Sequence, residues 1–194
     1  MTQIQVVTGA QISEFLDALA VLRIAIFRDF PYLYDGTLEY EKSYLSTYAK
    51  SNGALVVLIL DDGKVVGAST GLPLSEETIE FKQPFIDAGY NVDEIFYCAE
   101  SVLLPAYRGR GLGKRFFEER EAHAKQIEGM KHVCFCAVVR EEQHPLKPSD
   151  YKTLDPFWMS QGYSKTRLTC EYVWQDIDKS VDTAKTMQFW MKSL

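Results

Sequence analysis

Leu104-Pro105-Ala106-Tyr107-Arg108-Gly109-Arg110-Gly111-Leu112-Gly113-Lys114 decides how this chain is read. An apolar, strand-like run over residues 95–104 leads into it, and a helical pattern over residues 114–127 leads out. Three glycines at alternate positions therefore fall where a strand ends and a helix begins. The start of a helix presents backbone N–H groups without intrahelical partners and carries the positive end of the helix dipole. Glycine lets a ligand approach that backbone closely, because no Cβ intervenes. These features favour an anion, above all a phosphate or pyrophosphate. Arg108 and Arg110 add positive charge beside it.

Three phosphate-binding patterns compete for the stretch. A Walker-type loop needs Gly, four residues, Gly, Lys and then Ser or Thr. Here Arg108 stands at the first glycine and Arg115 at the hydroxyl position, so that pattern fails. A dinucleotide fingerprint separates its second and third glycines by two residues and opens a βαβ domain. Only Leu112 separates Gly111 from Gly113, and the stretch lies past mid-chain. The third pattern is Arg or Gln, two residues, Gly, one residue, Gly or Ala. Arg108, Gly111 and Gly113 match every fixed position, with Pro105 and Tyr107 in the flank. This pattern resembles the acyl-CoA loop of the GNAT superfamily, the acetyl-CoA-dependent N-acetyltransferases. The resemblance continues at Phe157-Trp158-Met159-Ser160-Gln161-Gly162-Tyr163, which looks like the family's later Phe-Tyr, three residues, Gly, aromatic segment. It covers roughly residues 53–174; the first fifty residues fit only loosely.

The resemblance implies an α/β (α+β) fold: a mixed, mostly antiparallel central sheet of about seven strands, flanked by helices and splayed at the acyl-CoA site. It implies acetyl-CoA as co-substrate and direct attack by an amine in a ternary complex. The backbone of Arg108, Gly109, Arg110, Gly111, Leu112, Gly113 and Lys114 would hold the pyrophosphate. The pantetheine arm would pair with Val102, Leu103 and Leu104, and an N–H near Leu103 would donate to the developing oxyanion. Trp158 would lie beside the cofactor. It replaces the family's usual tyrosine acid and has no hydroxyl to give. Tyr151 is the candidate substitute acid, its alternative role being that of an ordinary packed loop aromatic. A thiol with a pKa of about 8.5 also leaves unaided.

The substrate ammonium must lose a proton before attack. Glu100 is the first choice of base, because a carboxylate inside an otherwise apolar strand is desolvated. Glu94, aligned with a base used by histone-acetylating members of the family, is second. The alternative for each is a salt bridge or simple exposure to solvent. His144 is a weaker candidate, and His123 is expected to face solvent. Among the aromatic residues of the first fifty, Tyr32 and Tyr34 are assigned to the acceptor pocket, whereas Phe27, Tyr40 and Tyr44 are assigned to ordinary packing.

The bulk properties narrow the class. With 194 residues and 46% hydrophobic content, the chain has enough apolar material for one globular domain over residues 1–194. The formal net charge is −6 and no basic stripe stands outside the 108–115 region, which argues against nucleic acid as a partner. No basic-then-apolar leader opens the chain and no apolar run approaches membrane-spanning length. A cytoplasmic location, a small-molecule amine partner and no membrane association are therefore expected. Cys98, Cys134, Cys136 and Cys170 lack metal-ligand spacing and read as reduced, buried thiols, so no metal is expected.

Periodicity predicts strands at 4–7, 54–60, 65–72, 93–104, 132–139, 163–176 and 186–192. It predicts helices at 13–28, 39–51, 114–128 and 154–161, with a further one around 76–88 interrupted by Pro84. In the first helix Arg23 shares the apolar period of Leu19, Leu22 and Ile26. Asp61-Asp62-Gly63-Lys64 marks a hairpin. Segment 75–92 reads either as a lid or as a dimer contact, and a homodimer is allowed. Two other functions remain open: an acyl-CoA-binding regulatory module without catalysis, and acetylation of protein lysines or N-termini.

Overall fold

The computed structural model describes residues 2–194. An eight-stranded sheet organises them, in the order β1 (Gln3–Thr8), β2 (Leu55–Asp61), β3 (Lys64–Pro73), β4 (Ile95–Tyr97), β6 (His132–Val138), β8 (Asp182–Ser193) and β7 (Ser164–Gln175), with β5 (Ser101–Leu103) paired to β3. All pairs are antiparallel except β4 with β6. The β2–β3 hairpin turns through Asp62 and Gly63, both at positive φ (47° and 76°), as a tight primed turn requires. Along β2, Val56 and Leu58 enter one apolar layer while Leu55, Val57 and Ile59 enter the other. Burial on both faces explains why this strand is a continuous apolar run rather than an alternating one.

Helices α1 (Leu16–Phe27), α2 (Leu38–Lys50) and α3 (Ile79–Asp87) belong to the first layer; α4 (Leu112–Ala124) and α5 (Asp155–Ser160) belong to the second. The Thr37 hydroxyl caps α2 by accepting from the Tyr40 N–H at 3.3 Å, with Glu39 and Glu41 in the first turn and Lys50 in the last. The first helix begins later than its periodicity suggests, because Gly9–Phe15 winds as 3-10 helix before α1. Segment 75–92 contains α3, whose Phe81 and Phe85 pack on Phe189 inside the same chain while Ile79 and Ile86 remain exposed.

The expected central strand, residues 93–104, is two strands. Thr70 and Gly71 of β3 face three residues, Cys98, Ala99 and Glu100, because the register passes from Leu72 opposite Tyr97 to Ser69 opposite Ser101. One surplus residue is a β-bulge, which re-aims the side chains that follow. It also accounts for the eighth strand where seven were expected. Arg120 of α4 is buried at the bulge and donates to the Glu100 carbonyl at 3.1 Å and the Thr70 carbonyl at 3.4 Å. Each of these carbonyls also accepts a backbone N–H at 3.1 Å, Glu100 from Thr70 and Thr70 from Ala99, so Arg120 fills a second lone pair on each and ties α4 to the bulge. Beyond Cys98, whose N–H donates to the Cys134 carbonyl at 2.7 Å, β5 stays with β3 while β6 continues with β8. The sheet therefore opens between β5 and β6.

Candidate active site

At one end of this opening lies the glycine stretch. Gly109 and Gly111 hold φ of 74° and 78°, and Gly111 is the left-handed residue from which α4 starts. A β-carbon strains that conformation. Among the described residues, the N–H groups of Gly109 through Gly113 donate to no protein acceptor, whereas Lys114 already bonds back to Gly111 at 3.1 Å. A run of free amides at a helix start matches the donor set an anion needs. The two arginines are tethered at its rim. Arg108 Nε donates to the Leu103 carbonyl at 3.1 Å, and Arg110 donates to the Ala106 carbonyl at 2.8 Å over the Tyr107 ring.

The edge of β5 faces the opening. Leu104 gives its N–H to Val66 at 3.0 Å, and the Glu100 carbonyl accepts from the Thr70 N–H at 3.1 Å. In an antiparallel pair, alternate residues turn their backbone groups to the partner strand. Positions 100, 102 and 104 thus serve β3, and Ser101 and Leu103 turn theirs toward the opening. Of the three residues expected to pair with pantetheine, Leu103 turns its backbone groups to the opening, as Ser101 does, whereas Val102 and Leu104 turn theirs to β3.

On the other side of the bulge a cavity of about 670 Å³, its open mouth included, lies among α1, α2, α3 and the sheet. Tyr32 and Tyr34, expected in an acceptor pocket, line it. Phe27, Tyr40 and Tyr44, assigned above to packing alone, line it too. Its charged group is a buried triad. Arg23 of α1 lies 2.6 Å from Glu100 and also binds Glu41 of α2, and its guanidinium sits between the Tyr44 ring at 4.6 Å and the Phe27 ring at 5.0 Å. Burial alone would lower the Arg23 pKa, but the negative field of Glu100, Tyr44 and Glu41 raises it well above its ordinary value. The bulge delivers Glu100 to this cavity. Tyr97 and Val102 both enter the layer containing α1, although strict alternation would put residues five apart on opposite faces.

A hydrogen-bonded chain leads away from the cavity. The hydroxyls of Tyr44 and Tyr48 are 2.9 Å apart, and Tyr48 donates to Glu77 at 3.5 Å. Burial pushes the Glu77 carboxyl up to about 7, against the opposing effect of the Thr78 N–H. Arg23, Glu41 and Glu77 escaped the sequence reading of the site. Arg23 and Glu41 did leave a signal: each occupies an apolar position in its helix, Arg23 with Leu19 and Leu22, Glu41 with Leu45 and Tyr48.

The loop over residues 29–36 forms a wall of the cavity and is clamped. Arg140 holds Asp176 through two bonds of 2.8 and 2.9 Å and donates to the Pro31 and Tyr32 carbonyls at 2.7 and 2.6 Å. The Trp174 indole donates to the same Tyr32 carbonyl at 3.0 Å, and the Ile177 N–H to the Leu33 carbonyl at 2.7 Å. Lys185, 3.1 Å from Asp176, completes the cluster.

Other candidates fall elsewhere. Glu94 precedes β4 at the surface, bound to Lys131 at 2.7 Å, which holds its carboxyl below the usual range. It is not among the residues lining the cavity, because it ends the 3-10 turn before β4, and all of β4 separates it from the bulge. Tyr151 packs edge-on against Phe30, with ring centres 4.7 Å apart, and also stands outside the cavity lining. His144 accepts from the Leu146 N–H at 3.2 Å on the exposed loop. His123 is not solvent-facing: it is half-buried, bonded to the Gly53 carbonyl at 2.9 Å and set edge-on to Phe96. Trp158 packs on Phe135 and Trp190 at 5.0 and 5.2 Å in the second layer. The four cysteines are free and buried. Among the described residues no cluster of His, Cys, Asp or Glu is arranged to hold a metal ion, and no helix is long and apolar enough to cross a membrane.

A sheet opened beside a bulge, with an amide-lined helix start on one side and a buried carboxylate on the other, defines the class of acyl-transferring folds to which this chain is built. The model of the acetyltransferase (GNAT) family matches residues 20–147, and the chain belongs to that family; it is an acyltransferase. Solved structures agree on the fold. An acetyltransferase from Thermus thermophilus superposes with a TM-score of 0.59 at 15% identity, over 100% of this chain and 97% of that one. The ribosomal-protein-alanine N-acetyltransferase of Brucella melitensis gives 0.64 at 16% identity, over 99% of each chain. Arabidopsis thaliana NAA60, solved with a bisubstrate analogue, gives 0.63 at 10% identity, over 100% of this chain and 99% of that one. No curated protein sequence matched the chain.

Proposed function

We propose that this protein transfers an acetyl group from acetyl-CoA to the primary amine of a small molecule. The observation that carries the reading is the continuity of the opening: free amides 109–113, the Leu103 N–H and Glu100 follow one another along one strand and its loop. When bound, acetyl-CoA supplies an activated acyl group. The chain supplies the rest. Amides of Gly109 to Gly113 hold the pyrophosphate, with Arg108 and Arg110 at the rim. Ser101 and Leu103 align the pantetheine amides as a strand would, and the Leu103 N–H donates to the thioester oxygen as it gains charge. Glu100 takes one proton from the ammonium, the amine nitrogen bonds the carbonyl carbon, and the carbon–sulfur bond breaks as the nitrogen loses its second proton to the departing thiolate or to solvent. The departing thiolate needs no acid from Trp158, since a thiol ionises near pH ~8.5. Arg23 is a positioning residue that keeps Glu100 aimed into the cavity.

The clamped 29–36 loop favours a small acceptor over a protein chain, because an extended peptide needs an unobstructed groove. A binding module without catalysis is favoured by one feature, the indole at Trp158 in place of a phenol. Calorimetry with acetyl-CoA tests the reading. Wild type is expected to bind and the Gly111→Asp, Gly113→Asp double variant to lose at least about 100-fold, because two carboxylates would occupy the anion cradle. Wild type that fails to bind overturns the proposal. Binding without turnover of any amine in a broad screen supports the module instead.

A further inference from the structure

The composition of the cavity narrows the acceptor, an inference that rests on the acetyl-transfer reading. Nine of its fourteen lining side chains are aromatic. Its only charged lining groups, Arg23 and Glu100, are bound to each other at 2.6 Å, and Glu41 behind them binds Arg23 as well. One arginine against two carboxylates leaves a single negative charge for the acceptor. Most phenol hydroxyls are already committed. Tyr40 and Tyr172 share a bond of 3.0 Å, Tyr44 is joined to Tyr48 at 2.9 Å, and Tyr97 meets Cys136 Sγ at 3.1 Å. Tyr34 faces Glu41, and burial together with that carboxylate raises its pKa. Among the described residues the hydroxyl of Tyr32 has no such partner, so the walls offer one spare polar contact.

We infer that the acceptor is a monoamine with one cationic nitrogen and a flat, apolar body, of arylalkylamine type. The ammonium answers the surplus negative charge near Glu100, and the aromatic walls receive both its cationic edge and the hydrocarbon body. A polyamine would bury a second ammonium against rings, because the next carboxylate, Glu77, stands outside the lining behind Tyr44 and Tyr48. An aminosugar would bring several hydroxyls to walls whose own hydroxyls are occupied, leaving polar groups buried without partners.

The test compares CoA release with 2-phenylethylamine, spermidine, kanamycin and a short alanyl peptide, and follows direct binding of 2-phenylethylamine through the fluorescence of Trp174, which lines the cavity. A Trp174→Phe variant identifies the signal. The expected result is a kcat/KM for 2-phenylethylamine at least about tenfold above the other three, with saturable quenching. Tyr40 stands at the rim, 48% exposed, and Tyr40→Glu adds the missing second carboxylate there. That variant is expected to move the preference between 1,4-diaminobutane and 2-phenylethylamine toward the diamine by at least about tenfold. Higher kcat/KM for spermidine, kanamycin or the peptide overturns the inference. Acetyl-CoA binding with neither quenching nor turnover by the monoamine overturns it too, while leaving the acetyl-CoA site standing. Saturable quenching without turnover supports the cavity's ligand class and defeats the transfer reading instead.

Discussion

The two halves of the site are built in opposite ways. The proposed anion cradle is made of backbone from one short run of consecutive residues, exposed, with glycines at the positive-φ positions. The cavity proposed for the acceptor is made of side chains from distant segments, and a buried charge triad joins α1, α2 and the bulge beside it. The cradle depends on a local conformation that glycine adopts without strain. The cavity depends on several helices arriving at the same place. Damage should therefore be confined in the first and spread through the molecule in the second.

The largest expected effect is on the triad. Arg23→Met leaves Glu41 and Glu100 buried without their cation, and breaking a buried pair in this way costs about 3–5 kcal/mol. Urea unfolding should show that loss; an unchanged midpoint would mean that the triad is not what holds α1 and α2 to the sheet. Next comes the cradle. The Gly111→Asp, Gly113→Asp variant should lose its acetyl-CoA affinity yet keep far more of its stability than Arg23→Met does. Equal destabilisation by both variants would erase the contrast between the two regions.

Glu77 gives a smaller, pH-dependent effect. Its carboxyl is raised from 4.5 to about 7 in the folded chain, so the folded state binds more protons between those values. The stability this provides is fully present below about pH 4.5 and is lost as pH rises through about 7, a change of up to about 3 kcal/mol. Glu77→Gln should flatten the pH dependence of unfolding in that window. An unaltered slope would show that Glu77 titrates as an ordinary surface acid. The smallest effect is expected at Glu94. It is half-buried outside the cavity lining and bound to Lys131, so Glu94→Gln should leave turnover and its pH profile unchanged. A tenfold fall in kcat would return Glu94 to the reaction.

The strand–loop–helix stretch was legible in the sequence: α4 starts from Gly111, and Gly109 and Gly111 hold the positive φ that glycine adopts without strain. The cavity was legible only in part. Tyr32 and Tyr34 were placed in it, whereas Phe27, Tyr40 and Tyr44 were assigned to packing; the two roles are not exclusive when a wall of the cavity is also the outside of a core. Glu100 stood out as a charge in an apolar strand. Its partners Arg23 and Glu41 did not, although each breaks the apolar period of its helix. A charge at a core position declares that it has a partner, but not which one.

By itself, then, the amino-acid sequence determined the strand–loop–helix cradle, the hairpin, the helical segments and the family they resemble. All of these rest on interactions between residues a few positions apart, and such patterns are written along the chain. The tertiary structure decided what depends on register. The surplus residue at Cys98, Ala99 and Glu100 exists only by comparison with β3, which no single strand can reveal. That one residue splits the expected central strand and turns Glu100 toward α1. It also brings together an arginine and two glutamates separated by up to 77 positions, Arg23 to Glu100. The reason is physical: side-chain direction in a strand alternates with a period of two, so a shift of one residue changes the face on which all that follow are buried.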